Sequence, residues 1–506
     1  MGTGLSAAGV SRLVGFDHAG EAFISGDRIL RGIYRGDAEA VRHILRRCEQ
    51  DDLFSRGIVS TRELAENPHP ELGYEIVLEH ERVPFVSYPH EWPASMLRDA
   101  ALFHIQHFKD LAPRGLTLKD WHPYNVLFEG TTPKFVDFTS IIPTANLAQQ
   151  DHLSRPSAKK AIAKLWDDYA VALYESYRLM YEPYFGLPLA MMKRGRHADA
   201  RRRLYETALN SADNVITRRE AFDGDAAGRL AYELFDRRLR LALVERGQEK
   251  RRFFDLLEVK LWRSNVAVKG SAYSSYYEAK NEAFSTEPSP EWTAKQHSVR
   301  NTITERRPRT LLDLGSNTGW FSILAARLGA SVVAVDLDEA SIDSLYVSAK
   351  REGLPILPLV TNLTAPLPDR HALEFPDEPS RSRIGGDAPL YPAPNSRLQC
   401  DMVLALALVH HLALGQGLPF ERIAEIFSEL AKKCVCAEFV AIDDPMITSD
   451  RPFFPKYNSS PESFGWYSLD NFIAAMRRYF PSVEIRPSHP GTRTIVVLEK
   501  PVPGAR

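Results

Sequence analysis

The stretch from Thr310 to Leu328 constrains the fold more than any other. An apolar run, Thr310 to Leu312, leads into Asp313-Leu-Gly-Ser-Asn-Thr-Gly319, and the residues from Trp320 to Leu328 carry a helical pattern. Strand, tight loop and helix follow one another in that order. Gly315 and Gly319 allow main chain to approach a ligand where a Cβ would collide, and the helix after them offers free N–H groups at its positive end. A second strand pattern, Ser331 to Val335, ends on Asp336. A carboxylate at the tip of the second strand of such a unit accepts hydrogen bonds from both ribose hydroxyls. The loop spells Gly-x-Asn-x-Gly rather than Gly-x-Gly-x-x-Gly, and a side chain at Asn317 crowds a pyrophosphate. The pattern therefore favours a nucleoside without phosphates over a dinucleotide.

DLGSNTG and VVAVDLDE in this arrangement resemble the class I S-adenosylmethionine-dependent methyltransferases. The resemblance implies an α/β C-terminal domain, Rossmann-like and seven-stranded, with S-adenosylmethionine as cofactor. It also implies that backbone near Gly315 and Gly319 cradles the cofactor's amino-acid portion and that Asp336 holds its ribose. Asp313, Ser316, Asn317 and Leu337 complete that part of the set. A third strand, Ile356 to Val360, leads to Asn362 and Leu363, where the family commonly places an acid against the adenine; asparagine offers an amide there instead.

At 506 residues, 44% hydrophobic and 25% charged, the chain can bury two sizeable cores. A formal net charge of -2 gives no global attraction to nucleic acid or to an anionic membrane. Cys48, Cys400, Cys434 and Cys436 are too few and badly spaced for a disulfide framework, and Cys434 and Cys436 alternate on an apolar strand, so packing in a reducing cytoplasm is expected. No uninterrupted apolar run is long enough to span a bilayer. Met1 to Ser6 matches a myristoylation pattern with no basic cluster beside it.

The two halves differ in texture. Up to about residue 150, strand-like runs such as Tyr74 to Glu79 and Lys134 to Asp137 mix with turns and one helix, Ala94 to Leu111; Ser157 to Phe254 is helical, notably over Ala161 to Tyr181 and Leu230 to Val244. Lys193, Arg194, Arg196, Arg201, Arg202 and Arg203 are expected to form a solvated helix face, because acids return soon afterwards and few aromatics intervene. Domains of 1–265 and 266–506 are expected, the second carrying an insertion over 366–400 that is rich in Pro, Ser, Arg and Asp.

Leu116-Thr-Leu-Lys-Asp120-Trp-His-Pro-Tyr-Asn125, followed by Lys134-Phe-Val-Asp137, resembles the catalytic loop and metal-binding acid of kinases. The resemblance implies an α+β, partly helical region with Asp120 as base and with Asn125 and Asp137 as magnesium ligands if the site is functional. A kinase also needs a lysine on an early strand, and the first lysine here is Lys109. Arg28, Arg31 and Arg35 do not replace a compact ammonium there without rearrangement. A catalytically degenerate kinase-like region is the expectation.

LTLKDWHPYNVLF with FVDFTS, then TLLDLGSNTGWFS, ALALVHHLA and AEFVAIDDP, together are similar to nodulation-associated methyltransferases and their bacterial relatives, from about Gly32 to Glu499. That likeness implies a small hydroxylated or glycan acceptor and makes O-methylation the favoured reaction. Alternatives are a nucleic-acid or protein methyltransferase, a regulatory protein that binds the cofactor without turnover, and a bifunctional protein with an active kinase-like domain.

Methyl transfer from a sulfonium requires alignment and exclusion of water, and a hydroxyl acceptor must also lose its proton, which neutral imidazole accepts at pH 7. The expected fourth strand, Asp401 to Leu408, ends at His410 and His411. One of these is the candidate base, His411 being favoured as the one farther into the loop. Glu438 and Asp443, at and beyond the end of the fifth strand, Lys433 to Val440, are second candidates. The histidines are adjacent, and adjacent side chains are expected to diverge, unlike the four-residue spacing of zinc sites. No resident metal is expected.

Overall fold

The computed structural model describes residues 10–13, 17–150, 165–209, 215–245, 250–264, 266, 268, 270, 287–362, 370–371, 389–391, 393–448 and 460–501. Gly2 and Leu363, and most of the expected insertion, lie outside the described residues. Two compact units are present. One comprises Met1–Glu129, Pro133–Val268 and Asp369–Pro392, the other Gly130–Thr132, Lys269–Pro368 and Ala393–Arg506.

The first unit opens with β1 (Val10–Arg12), β2 (Gly20–Ser25), β3 (Arg28–Ile33), helix α1 (Ala38–Gln50), β4 (Thr61–Glu63) and β5 (Ile76–His80). The strands form an antiparallel sheet in the order β1-β2-β3-β5-β4. α1 buries Val41, Ile44, Leu45 and Cys48, the three- and four-residue spacing of one apolar stripe. β5 starts two residues later than the sequence pattern predicts, because Tyr74 is buried with its hydroxyl on Glu21 and Gly73 closes the preceding turn in a left-handed conformation. Helix α2 spans Ala94–Leu111, as the periodicity predicts.

Beyond α2, β6 (Leu116–Leu118) pairs with β9 (Ile141–Pro143), and β7 (Val126–Glu129) with β8 (Thr132–Phe135). β8 stops short of Asp137, which instead heads a tight turn over Phe138–Ser140 and accepts the Ser140 hydroxyl. The helical middle includes Asp168–Ser176, His197–Leu209, Ala226–Ala242 and Arg251–Trp262. Its arginines are not simply a solvated face. Arg194 pairs with Asp225, Arg196 with Asp199, Arg202 with Asp199 and Glu206, and Arg203 with Glu206 and Glu220. The acids that follow in sequence fold back onto them.

The second unit is built on β10 (Thr310–Leu314), β11 (Ser331–Asp336), β12 (Ile356–Val360), β15 (Cys400–Ala405), β16 (Ala431–Val440), β17 (Ser482–Pro487) and β18 (Arg493–Glu499); a short pair between β12 and β15 in sequence, β13 (Arg370–His371) and β14 (Pro389–Tyr391), belongs to the first unit. The seven-stranded order is β12-β11-β10-β15-β16-β18-β17, parallel through β16, with β18 antiparallel to both of its neighbours, β16 and β17. β12 and β15 are buried along their whole length, the signature of a parallel sheet covered on both faces. Chain progression reverses at β10, which has β11 on one side and β15 on the other, so the crevice at its carboxyl end is the position where such sheets bind ligands. This is a Rossmann-like α/β fold.

Element boundaries differ from the sequence pattern in instructive ways. β10 runs to Leu314, which places Asp313 inside the strand, and the following helix is Trp320–Arg327 with Leu328 as its cap. β15 ends at Ala405, three residues early, because Ala407 takes a φ of 50° and the chain turns into a helical turn from Val409. The four cysteines are free and buried, Cys434 and Cys436 within the core. Among the described residues, no helix is long and apolar enough to cross a membrane.

Candidate active site

The loop after β10 adopts a conformation that few residues accept. Gly315, Asn317 and Gly319 have φ values of 70°, 52° and 82°, in the left-handed region open to glycine and, next best, asparagine. The N–H groups of Gly315 and Ser316 both donate to the carbonyl of Val335, which ties the loop to β11. Asn317 turns its own carbonyl oxygen back to the Thr318 N–H at 2.6 Å. The side chain expected to crowd a phosphate thus also braces the turn. Two polar atoms here, Ser316 Oγ and Trp320 Nε1, are buried without a hydrogen-bond partner among the described residues. Such atoms are uncommon in native interiors and fit a site that takes a polar ligand.

The two glycines serve different ends. A Cβ on Gly319 would lie 2.4 Å from Leu345 Cδ1, whereas one on Gly315 would meet only Leu408 Cδ1 at 3.5 Å. Gly319 is required by packing within the fold; Gly315 leaves the open approach expected beside a ligand. Gly319→Ala combines overpacking of about 1–3 kcal/mol with a left-handed penalty of about 1–2 kcal/mol. Gly315→Ala carries the second term alone. Urea unfolding should show the larger loss for Gly319→Ala, and equal losses would contradict this division of roles.

Asp313 is buried beneath the loop and accepts the Ser322 hydroxyl at 2.6 Å. Burial pushes its carboxyl up to about 6, against that hydrogen bond. Asp336, at the tip of β11, accepts the N–H of Asn317 through Oδ2 and that of Asp338 through Oδ1, both at 2.9 Å. Burial raises its pKa and these N–H groups oppose the rise. The carboxylate has four acceptor positions and three main-chain donors, Asn317, Asp338 and Leu337, so a position remains for a further donor. Leu337, beside it, is 61% exposed. Asn362 stands half-buried two residues past β12. These are the positions around which the cofactor set was expected.

On the other side of β10, Leu408 lies against Gly315 and the chain continues into His410 and His411. Neither histidine belongs to a strand or an extended loop, because the reversal at Ala407 carries both into a helical turn. Their rings are 4.3 Å apart between centroids, tilted by 38°. The expectation that they diverge is corrected: a helical turn separates successive side chains less than a strand does. His410 is buried and His411 half-buried. Burial lowers the pKa of both, and for His410 the neighbouring His411 and Arg493 add to the effect. Both rings are therefore neutral at pH 7.

Glu438 lies inside β16 and is fully buried, with Oε2 on Lys295 Nζ at 2.7 Å and Oε1 accepting the Ser488 hydroxyl at 2.5 Å. Asp443 is exposed, whereas the adjacent Asp444 is buried, taking Arg493 at 2.9 and 3.2 Å and the Thr492 hydroxyl at 2.6 Å. Burial works upward on Asp444, but these donors pull it down to about 2. A pair so engaged is a support rather than a proton acceptor.

In the first unit, Asn125 Nδ2 approaches Asp137 Oδ2 at 3.5 Å and the Asp120 carbonyl at 3.4 Å. Asp137 also accepts Arg31 at 3.2 Å and the Ser140 hydroxyl, with Thr139 Oγ1 3.1 Å away. Arg31, on β3, thus reaches the acid that the sequence resemblance assigns to a metal.

No family model matches the chain. It is 27% identical over 458 residues to the nodulation protein NoeA of Rhizobium meliloti (strain 1021), covering 87% of this chain and 88% of that protein. The chain is a homologue of NoeA. Coverage this broad draws on both units, so the likeness to NoeA extends over most of the chain. Among solved structures it is similar to the bifunctional kinase-methyltransferase WbdD (16% identity, 42% of each chain, TM-score 0.28) and to magnesium protoporphyrin IX methyltransferase from Synechocystis with bound S-adenosylmethionine (12% identity, 45% of this chain and 93% of that one, TM-score 0.27). The chain thus spans less than half the length of WbdD.

Several residues of this NoeA homologue that surround the loop and histidines escape sequence reasoning. Lys295 lies in the helix Ala294–Arg306, Ser488 after β17 and Arg493 on β18, far in sequence from the acids they meet. A lone lysine or arginine in a helix or strand gives no local signal; only the sheet order brings them together.

Proposed function

We propose that the chain is an S-adenosylmethionine-dependent O-methyltransferase of a small hydroxylated or sugar-containing acceptor. The observation that carries this reading is the loop Gly315 to Gly319, braced on Asp336 at the point where strand order reverses. The buried, unpartnered Ser316 hydroxyl and the exposed Leu337 give that crevice a polar contact on one side and an apolar one on the other. When bound, the cofactor supplies a methyl group activated by a sulfonium leaving group. Asp336 retains an acceptor position for the ribose, Leu337 offers a surface for the base and Asn362 an amide.

His411 is the proposed proton acceptor. It is neutral at pH 7, half-buried, and stands three residues from the leucine that touches the loop. The more deeply buried His410 packs against it. Glu438 is committed to Lys295 and Ser488 and supports the site. The ion-paired arginines of the helical middle favour a small acceptor over a nucleic acid, because guanidinium groups already held by carboxylates offer little to phosphates. The four free thiols fit a reducing cytoplasm. For the first unit, the sheet order β1-β2-β3-β5-β4 with α1 between β3 and β4 supports a kinase-like region, and the engagement of Asp137 by Arg31 supports one without phosphoryl transfer. Calorimetry tests the cofactor half of the proposal: S-adenosylmethionine should bind and NAD should not, and the reverse preference would overturn it.

A further inference from the structure

Asp17 lies in the connection from β1 to β2, and donors from three other segments converge on its carboxylate. Oδ2 takes Arg31 Nη1 at 2.7 Å and the Thr139 hydroxyl; Oδ1 takes Lys119 Nζ at 3.1 Å and its near neighbour, the Ala19 N–H, at 3.1 Å. Arg31 comes from β3, Lys119 follows β6, and Thr139 sits in the turn after Asp137. A guanidinium, an ammonium, a hydroxyl and a backbone N–H aimed at one point are the donors that recognise a phosphoryl group. We infer that Arg31, Lys119 and Thr139 form an anion site whose native occupant is the chain's own Asp17, so that phosphoryl-bearing ligands are excluded from the first unit.

Charge and access agree with this assignment. Asp17 and Asp137 balance Arg31 and Lys119, and removing the Asp17 carboxylate leaves one net positive charge among them. Side-chain exposures of 9% for Asp17, 11% for Arg31, 15% for Lys119 and 19% for Asp137 describe a cluster that is recessed but not sealed. Burial would raise the Asp17 carboxyl, yet the two cations and the hydrogen bonds hold it down at about 2, so the occupant is an anion at every physiological pH. Arg31 also keeps its bond to Asp137 at 3.2 Å, which anchors the guanidinium when Asp17 is replaced.

The test measures binding of inorganic tripolyphosphate and of ATP, without added metal, to the full chain and to Asp17→Ala and Asp17→Asn, with thermal melting as the control for folding. The wild type should bind neither at millimolar concentration. Asp17→Ala should bind both at least about tenfold more tightly than the wild type, the scale of one charge-assisted hydrogen bond, and Asp17→Asn, which keeps the shape and loses the charge, should gain less. Adding Arg31→Met to Asp17→Ala should abolish the gain. Folded variants that bind neither probe, a wild type that binds as well as the variants, a gain for ATP without one for tripolyphosphate, or loss of cooperative melting in both variants would each overturn the assignment, the last by making Asp17 a structural staple.

Discussion

His411→Gln should lower methyl-transfer turnover by about a hundredfold or more, the scale of general-base catalysis, while cofactor affinity stays nearly intact. Glutamine keeps a polar side chain of similar reach but cannot take a proton. The sign of the pH effect follows from the direction of the shift. Burial lowers the His411 pKa below its ordinary 6.5, and the active form is the neutral ring, so turnover rises with pH through that lowered value and is flat by neutral pH. The variant should lose the rising limb. His410→Gln should instead chiefly destabilise the fold, since that ring is buried. Steady-state rates between pH 5 and 8 decide the matter: full turnover and an unchanged profile in both single variants would place the base elsewhere.

Asp336→Ala should weaken S-adenosylmethionine binding at least tenfold, because a carboxylate on two ribose hydroxyls makes charge-assisted bonds worth about 1.5–3 kcal/mol. The carboxylate has a second task, capping the N–H groups of Asn317 and Asp338. The loss therefore includes a looser loop as well as a lost ligand contact. Asp336→Asn, which keeps one carbonyl acceptor, should fall between wild type and Ala when titrated by calorimetry. Unchanged affinity in the Ala variant would show that the ribose is held by another group.

The parts of this site that the sequence made legible are those encoded over a few residues. Gly315 and Gly319 announce a close approach of main chain to a ligand, and the apolar run that stops at Asp336 announces a strand with an acid at its tip; the left-handed backbone at Asn317 was not foreseen. Strand ends were less legible: Ala407 has a side chain yet takes a positive φ, so nothing in its identity warned that β15 would stop and turn the histidines into a helix. Asp443 and Asp444 are indistinguishable as neighbours in a sequence, and only the position of Arg493 on β18 selects the second for burial. Arg31 and Asp17 show the same limit in the first unit. A missing lysine is visible in the sequence, whereas an arginine reaching Asp137, held by an aspartate from another loop, is a property of the sheet.

The proposed reaction is transfer of a methyl group to oxygen on a small acceptor. Purified protein incubated with methyl-labelled S-adenosylmethionine and an extract of its own host, followed by mass spectrometry, tests it most directly. Label is expected on a hydroxyl of a small or sugar-containing molecule, and should be lost when His411→Gln replaces the wild type. Label in RNA or protein, or tight cofactor binding with no methylated product, would contradict it.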